Sequence, residues 1–298
     1  MKVNLKVVFS LVVVSLVSAA VLGQKTAPKS DTNALMFQIS GNGLKKPSYI
    51  FGTFHILCPT DMIPLDKFSP YIDQTDQLVM EVDMDNPAET TALTSSIMNS
   101  DGRSIKDVLT PEQYAKVDEM FKNALGSSVE PLKMLKPSLL SILVITSPKM
   151  LGCSPPSSYD LSLVKIAGEK KKPIFGLETV AFQSQTLDSK PMEKQAKELY
   201  EMALDPQKPV SQLKSMVVAY KSQDIEKLYL AATEDDKSDA DFQKKLLEDR
   251  NTAWIPKIEA FVKDKPTFIA VGAGHLGGKN GVIQLLRAKG YDVKAIRL

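Results

Sequence analysis

The chain has only two histidines, and each closes a four-residue pattern of the same form, Gly52-Thr53-Phe54-His55 and Gly272-Ala273-Gly274-His275. Each pattern follows an apolar run, Tyr49-Ile50-Phe51 in the first case and Thr267-Phe268-Ile269-Ala270-Val271 in the second. Each therefore reads as a strand, a glycine turn and a histidine. Glycine at a strand exit lets the backbone turn sharply or approach a ligand closely, because no Cβ forbids positive φ. An imidazole presented there is held by rigid structure and stays open to a cleft. The fold must either treat the two as unrelated turn residues or bring opposite ends of the sequence to one place.

Carboxylates are offered in the same way. The run Gln77-Leu78-Val79-Met80-Glu81-Val82-Asp83 predicts a strand with Glu81 among apolar neighbours. An unpaired charge there is costly, so Glu81 needs a partner or must turn outward with Asp83. Pro173-Ile174-Phe175-Gly176-Leu177-Glu178 predicts another short strand, ending in Glu178. His55 and His275 with one or more of Glu81, Glu178 and Asp160 form a ligand set suited to a divalent metal with an open position for water. Such an ion lowers the pKa of bound water and polarises a carbonyl, while a carboxylate accepts the proton.

The remaining elements predict a β-hairpin over Leu35–Ser40 and Ser48–Phe54, and a mainly helical middle, about 87–172 and 190–262. Thr110-Pro111-Glu112-Gln113 is a capping box, followed by Tyr114, Val117, Met120, Phe121 and Leu125 at helical spacing. A uniformly apolar, buried helix is predicted over 132–145, a loop at 235–239, and one long helix over 242–262. By its local pattern the pair Arg250-Asn251 on that helix belongs to a solvated face. The end of the chain reads as strand, helix, strand over 266–296, which favours a right-handed parallel crossover.

Gly272-Ala273-Gly274-His275-Leu276-Gly277 also satisfies the dinucleotide-binding spacing, with Asp292 twenty residues beyond Gly272. Only six residues follow Asp292, too few to build the rest of such a domain, so this reading is set aside.

The first 23 residues have a short basic start, then an apolar run from Val7 to Leu22, which matches a secretory signal peptide followed by a polar linker over 24–33. The run is shorter than the ~20 residues of a spanning helix, so no stable membrane insertion is expected after cleavage. Removing it takes two lysines from 37 basic and 35 acidic residues, which leaves the charges balanced. No basic patch with interleaved aromatics asks for nucleic acid. The expected location is periplasmic or extracellular. There the two cysteines, Cys58 and Cys153, either form a disulfide or stay as buried thiols.

Taken together, these residues resemble the TraB/GumN family, which is related to the Tiki metalloproteases. The resemblance is carried by Gly52-Thr53-Phe54-His55 with Pro64-Leu65, Glu81, Gly176-Leu177-Glu178-Thr179 with Gln183, Arg250-Asn251, Gly272-Ala273-Gly274-His275-Leu276 and Gly290-Tyr291-Asp292-Val293. It implies an α/β, or mixed α+β, fold over 34–298: a central mixed β-sheet flanked by helices, similar to erythromycin-esterase-like and haem-binding ChaN-like proteins. It implies a divalent metal ion, zinc, manganese or cobalt, on His55, Glu81 and His275. Glu81, Glu178, Arg250 and Asn251 would be active-site, supporting or substrate-binding groups. The activity implied is metal-dependent hydrolysis of a peptide or small-molecule substrate. The alternatives are a non-enzymatic binder of haem, metal or a small molecule using the same histidines, and a structural protein in which the histidines merely end strands. The cysteine pair lies outside the family pattern.

Overall fold

Runs rich in apolar residues become strands in all six places where the sequence predicts them: β1 (Met36–Gly41), β2 (Ser48–Thr53), β3 (Gln77–Val82), β4 (Ile174–Glu178), β5 (Thr267–Gly272) and β6 (Tyr291–Ile296). The structure, a computed structural model, describes residues 33–153, 155–233 and 240–298. The expected signal segment, the linker as far as residue 32 and the expected loop at 235–239 lie outside the described residues.

The strands form one mixed sheet in the order β4-β3-β5-β2-β1-β6. The four strands β4, β3, β5 and β2 are mutually parallel, while β1 is antiparallel to both β2 and β6. Every residue of β2 and β3 is buried, as is all of β5 except its last position. Parallel strands covered on both faces are mostly apolar, and the buried polar residues in these, Ser48, Thr53, Gln77, Glu81 and Thr267, each have a hydrogen-bond partner. The edge strand β6 instead alternates buried and exposed over its first four residues. It does not pair with β5 but passes β2 and β1 to reach the free edge of β1, from Met36↔Ile296 to Gly41↔Tyr291. It still points the same way as β5, so the closing crossover is parallel.

Aromatic packing fixes one face of the sheet. Phe51 of β2 stacks on Phe68 at 4.7 Å and meets Tyr159 edge-on at 5.3 Å. All three rings are fully buried, and burial of each contributes roughly 1.5–3 kcal/mol. The helical middle has its own apolar cluster, in which the helix Pro111–Leu125 sets Val117, Met120 and Phe121 against Leu140, Val144, Leu199 and Met202. The predicted capping box is present at Thr110, and Gly126 at φ 75° ends the helix in the left-handed conformation that favours glycine.

Three expectations need correction. The apolar helix predicted over 132–145 begins only at Pro137, because Lys136 precedes a proline and is pushed to extended backbone, ψ 135°. It is also not buried all round, since Ile142 is 47% exposed. The long helix predicted over 242–262 is present as one continuous helical run, Ala240–Lys244, Lys245–Asp249 and Arg250–Asp264, but its middle segment is a π-helical turn instead of regular α-helix.

Cys58 and Cys153 form a disulfide. Beside it, Leu57 and Ser157 exchange backbone hydrogen bonds of 2.9 and 2.7 Å. Covalent and hydrogen-bonded links together join the loop that leaves β2 to the loop that enters the helix Tyr159–Glu169.

Candidate functional site

The parallel register brings the two glycine-histidine motifs side by side. Thr53, last in β2, pairs with Gly272, last in β5. His55 lies two residues beyond β2, and His275 closes the short 3-10 turn Ala273–His275 that follows β5. Glu81 stands near the end of β3, the other neighbour of β5, and Glu178 ends β4. All four chemical groups therefore reach the carboxyl ends of parallel strands, where open α/β sheets bind their ligands.

Two glycines make the close approach feasible. A Cβ on Gly52 would lie 2.8 Å from Leu276 Cδ1 and 3.0 Å from Ala273 Cα, so only glycine lets β2 pass beneath the turn that carries His275. A Cβ on Gly272 would stand 3.2 Å from Glu81 Oε1, 3.6 Å from His55 Nε2 and 3.6 Å from His275 Cδ2. The space beside Gly272 is thus a cradle shared by both imidazoles and one carboxylate. The rings can be no farther apart, at those two atoms, than twice that 3.6 Å separation.

Each imidazole has its own orienting oxygen. His275 Nδ1 is 2.7 Å from Asn251 Oδ1, and an amide oxygen only accepts, so Nδ1 carries the proton and Nε2 the lone pair. Asn251, fully buried, donates through Nδ2 to the carbonyls of His275 (3.3 Å) and Asn280 (2.9 Å), which settles its own orientation. Burial pushes the His275 pKa down to about 3, so the ring is neutral at ordinary pH. His55 Nδ1 donates to Asp160 Oδ2 at 2.9 Å, and Asp160 also accepts from Thr53 Oγ1 at 3.3 Å. This hydrogen bond raises the His55 pKa to about 9, with Glu81 adding to the attraction. The His55 side chain is 65% exposed, so water screens part of that attraction. Fixing a ring nitrogen by a carboxylate or carbonyl is the arrangement metal-binding histidines use to aim the other nitrogen.

Glu81, Glu178 and Arg250 form the buried floor, with half-buried Gln183 beside it. Arg250 donates to Glu178 through Nε (3.1 Å to each oxygen) and Nη2 (2.7 Å), and to Glu81 Oε2 through Nη2 at 2.6 Å. Its Nη1 reaches the Leu246 carbonyl at 3.0 Å, inside the π-helical turn, and His275 Nε2 at 3.2 Å. Glu81 also accepts from the Gly272 backbone N–H at 2.7 Å and from Gln183 Nε2 at 3.2 Å. Trp254 donates to Glu178 Oε2 at 2.9 Å and packs against His275 with ring centres 4.4 Å apart. Burial, the largest influence on Glu81, pushes its carboxyl up. Attraction to His275, Arg250 and His55, with the Gly272 bond, outweighs it and brings the pKa down to about 2. Because His275 is itself uncharged above about pH 3, the standing cations are Arg250 and His55.

The expectation that Arg250-Asn251 faces solvent is overturned, since Arg250 is 4% exposed and Asn251 fully buried. The inward alternative for Glu81 is the one adopted, and its partner is Arg250. Sequence reasoning did not carry Asp160 beyond a choice of three carboxylates. No local signal in the sequence marked Asp160 or Trp254 as a partner of the site. The donors suit a divalent ion in kind and tautomer. Among the described residues, however, no three His, Cys, Asp or Glu side chains already stand grouped to hold one, and Arg250 bridges His275 and Glu81.

A mixed α/β sheet with paired histidines at the ends of adjacent parallel strands and a buried Glu-Arg-Glu floor defines the class. Residues 35–295 match the TraB/PrgY/gumN family, and the chain belongs to it. Similar curated proteins include Metalloprotease TIKI1 of Danio rerio, 22% identical over 90% of this chain and 64% of the relative. Others are Metalloprotease TIKI2 of Xenopus tropicalis, 25% identical over 91% and 62%, and Metalloprotease TIKI1 of Homo sapiens, 24% identical over 89% and 62%. The chain thus spans less than two thirds of the length of these relatives. No solved structure is a significant match.

Proposed function

We propose that the protein is an exported divalent-metal-dependent hydrolase that cleaves peptide bonds. The observation that carries the reading is the cradle beside Gly272, onto which His55 Nε2, the His275 ring and Glu81 Oε1 converge. His55, His275 and Glu81 would hold the ion. When bound, it would supply a water of lowered pKa and polarise the scissile carbonyl. The chain's own residues then bind and orient. Asp160 and Asn251 aim the two imidazoles, and Gln183 and the Gly272 N–H hold Glu81, which serves as third ligand or as acceptor of the water's proton. Glu178 has both oxygens engaged by Arg250 and Trp254, which suits it to hold the arginine in place and makes it a poor general base. Distant likeness to proteins named as metalloproteases supports the reaction class and a peptide substrate. The disulfide supports export, because such bonds persist in oxidising compartments. No helix among the described residues is long and apolar enough to cross a membrane.

Metal analysis of purified protein, with cleavage assays on a peptide library, tests the proposal. Wild type should carry a divalent ion and cleave peptides in a chelator-sensitive way, and a folded His55→Ala/His275→Ala variant should do neither. Retention of full metal content by that variant would sink the ligand assignment.

A further inference from the structure

We infer that Arg250 is the site's built-in cation, and that its guanidinium competes with a divalent metal ion for His275 Nε2 and Glu81. The inference rests on the metal reading above and adds a condition to it: metal entry requires Arg250 to withdraw.

His275 has a single lone pair, on Nε2, because Nδ1–H is spent on Asn251. Arg250 Nη1 faces that lone pair at 3.2 Å, while Nη2 of the same group holds Glu81 Oε2 at 2.6 Å. A metal ion sits about 2 Å from a ligating imidazole nitrogen along the lone-pair direction. At His275 it would fall between Nε2 and Nη1, too close for the guanidinium to keep its place and against like charge. The two cations therefore take the position in turn.

The arginine also has somewhere to stay. Three of its contacts are with Glu178 and one is with the Leu246 carbonyl, and none of these involves a proposed ligand. Trp254 supports that parking place from two sides, donating to Glu178 and lying with its ring centre 4.9 Å from the guanidinium carbon. Releasing His275 and Glu81 thus leaves Arg250 paired rather than as an orphaned buried charge. In the metal-free protein the arginine neutralises Glu81 and covers the His275 lone pair, although Glu81 Oε1 is 3.8 Å from His275 Nε2; with metal present the ion takes over that neutralisation.

The test uses the full chain, stripped with chelator and titrated with Zn²⁺ by calorimetry. The charge-balanced variant Arg250→Gln/Glu178→Gln, shown folded by circular dichroism, should bind Zn²⁺ roughly tenfold or more tightly than wild type, since no guanidinium has to give up His275 Nε2 and Glu81 before the ion enters. Equal or weaker binding by the folded variant overturns the competition and leaves the metal reading intact. Absence of Zn²⁺ binding in both proteins sinks the metal reading, and the competition with it. A second measurement needs no variant. The chain has four arginines, so the side-chain nitrogens of Arg250 are resolvable by ¹⁵N NMR. On saturation with Zn²⁺ the Nη resonances should shift while Nε, held by Glu178, stays. Stoichiometric Zn²⁺ with unmoved Nη resonances overturns the inference.

Discussion

Replacing both cysteines, Cys58→Ser/Cys153→Ser, should cost several kcal/mol of stability, and the size follows from the loop the bond closes. The two residues are 95 apart in sequence. Freeing a loop of that length in the unfolded chain restores entropy equivalent to about 4.7 kcal/mol at 25 °C. The folded state loses little, because Leu57 and Ser157 still exchange their backbone bonds beside the vacated link. The effect should therefore appear through the unfolded state, and urea denaturation can show it in two ways. The midpoint should fall, and the dependence of stability on urea should steepen, since an uncrosslinked chain exposes more surface on unfolding. A loss below about 1 kcal/mol with an unchanged slope would refute the reasoning, because it would mean the unfolded ensemble is not widened when the link is cut.

Three further outcomes are expected. Gly272→Ala places a methyl 3.2 Å from Glu81 Oε1 in the shared cradle, so Zn²⁺ binding measured by calorimetry should weaken sharply while the folded state persists; unchanged affinity counts against the cradle as the metal's place. Asp160→Asn should bring the His55 pKa, read by NMR, from about 9 back toward 6.5. Because the folded pKa is raised, the pair's contribution to stability is fully present below 6.5 and is lost as pH rises through about 9. Metal-free wild type should lose stability over that window and Asp160→Asn should not, so parallel decline in both would contradict the assignment. Asn251→Ala leaves the His275 Nδ1–H buried without its acceptor and should cost about 1–3 kcal/mol in urea unfolding, whereas an unmoved midpoint would show the ring is oriented by something else.

The strands and their chemistry were legible because buried parallel strands write themselves as apolar runs, and because two identical glycine-histidine endings invite comparison. Glu81 could be read only as a choice between a solvated and a buried carboxylate. What decided it was Arg250, 169 positions away, and nothing near Glu81 encodes that distance. The arginine itself looked solvated because its helical neighbours include Asp249 and Thr252. The π-helical turn just before it is a local departure from helical period that a 3.6-residue pattern does not register. Family resemblance pointed to Arg250 and Asn251 where periodicity could not. Asp160 stayed one of three interchangeable acids until the tethered loops placed it against His55.

The position of β5 has a consequence for how this protein comes into being. It lies between β2 and β3, yet it is made almost last. Until residues 267–272 emerge, the earlier strands exist at most as two separate pairs, β1 with β2 and β3 with β4, each showing an unpaired inner edge. Such edges invite pairing with other chains, and sheets closed by distant segments form slowly. A chain cut short before its second glycine-histidine motif would thus lose more than one imidazole. It would lack the strand that joins its halves and would be prone to aggregate, so the segment that completes the candidate site also completes the sheet.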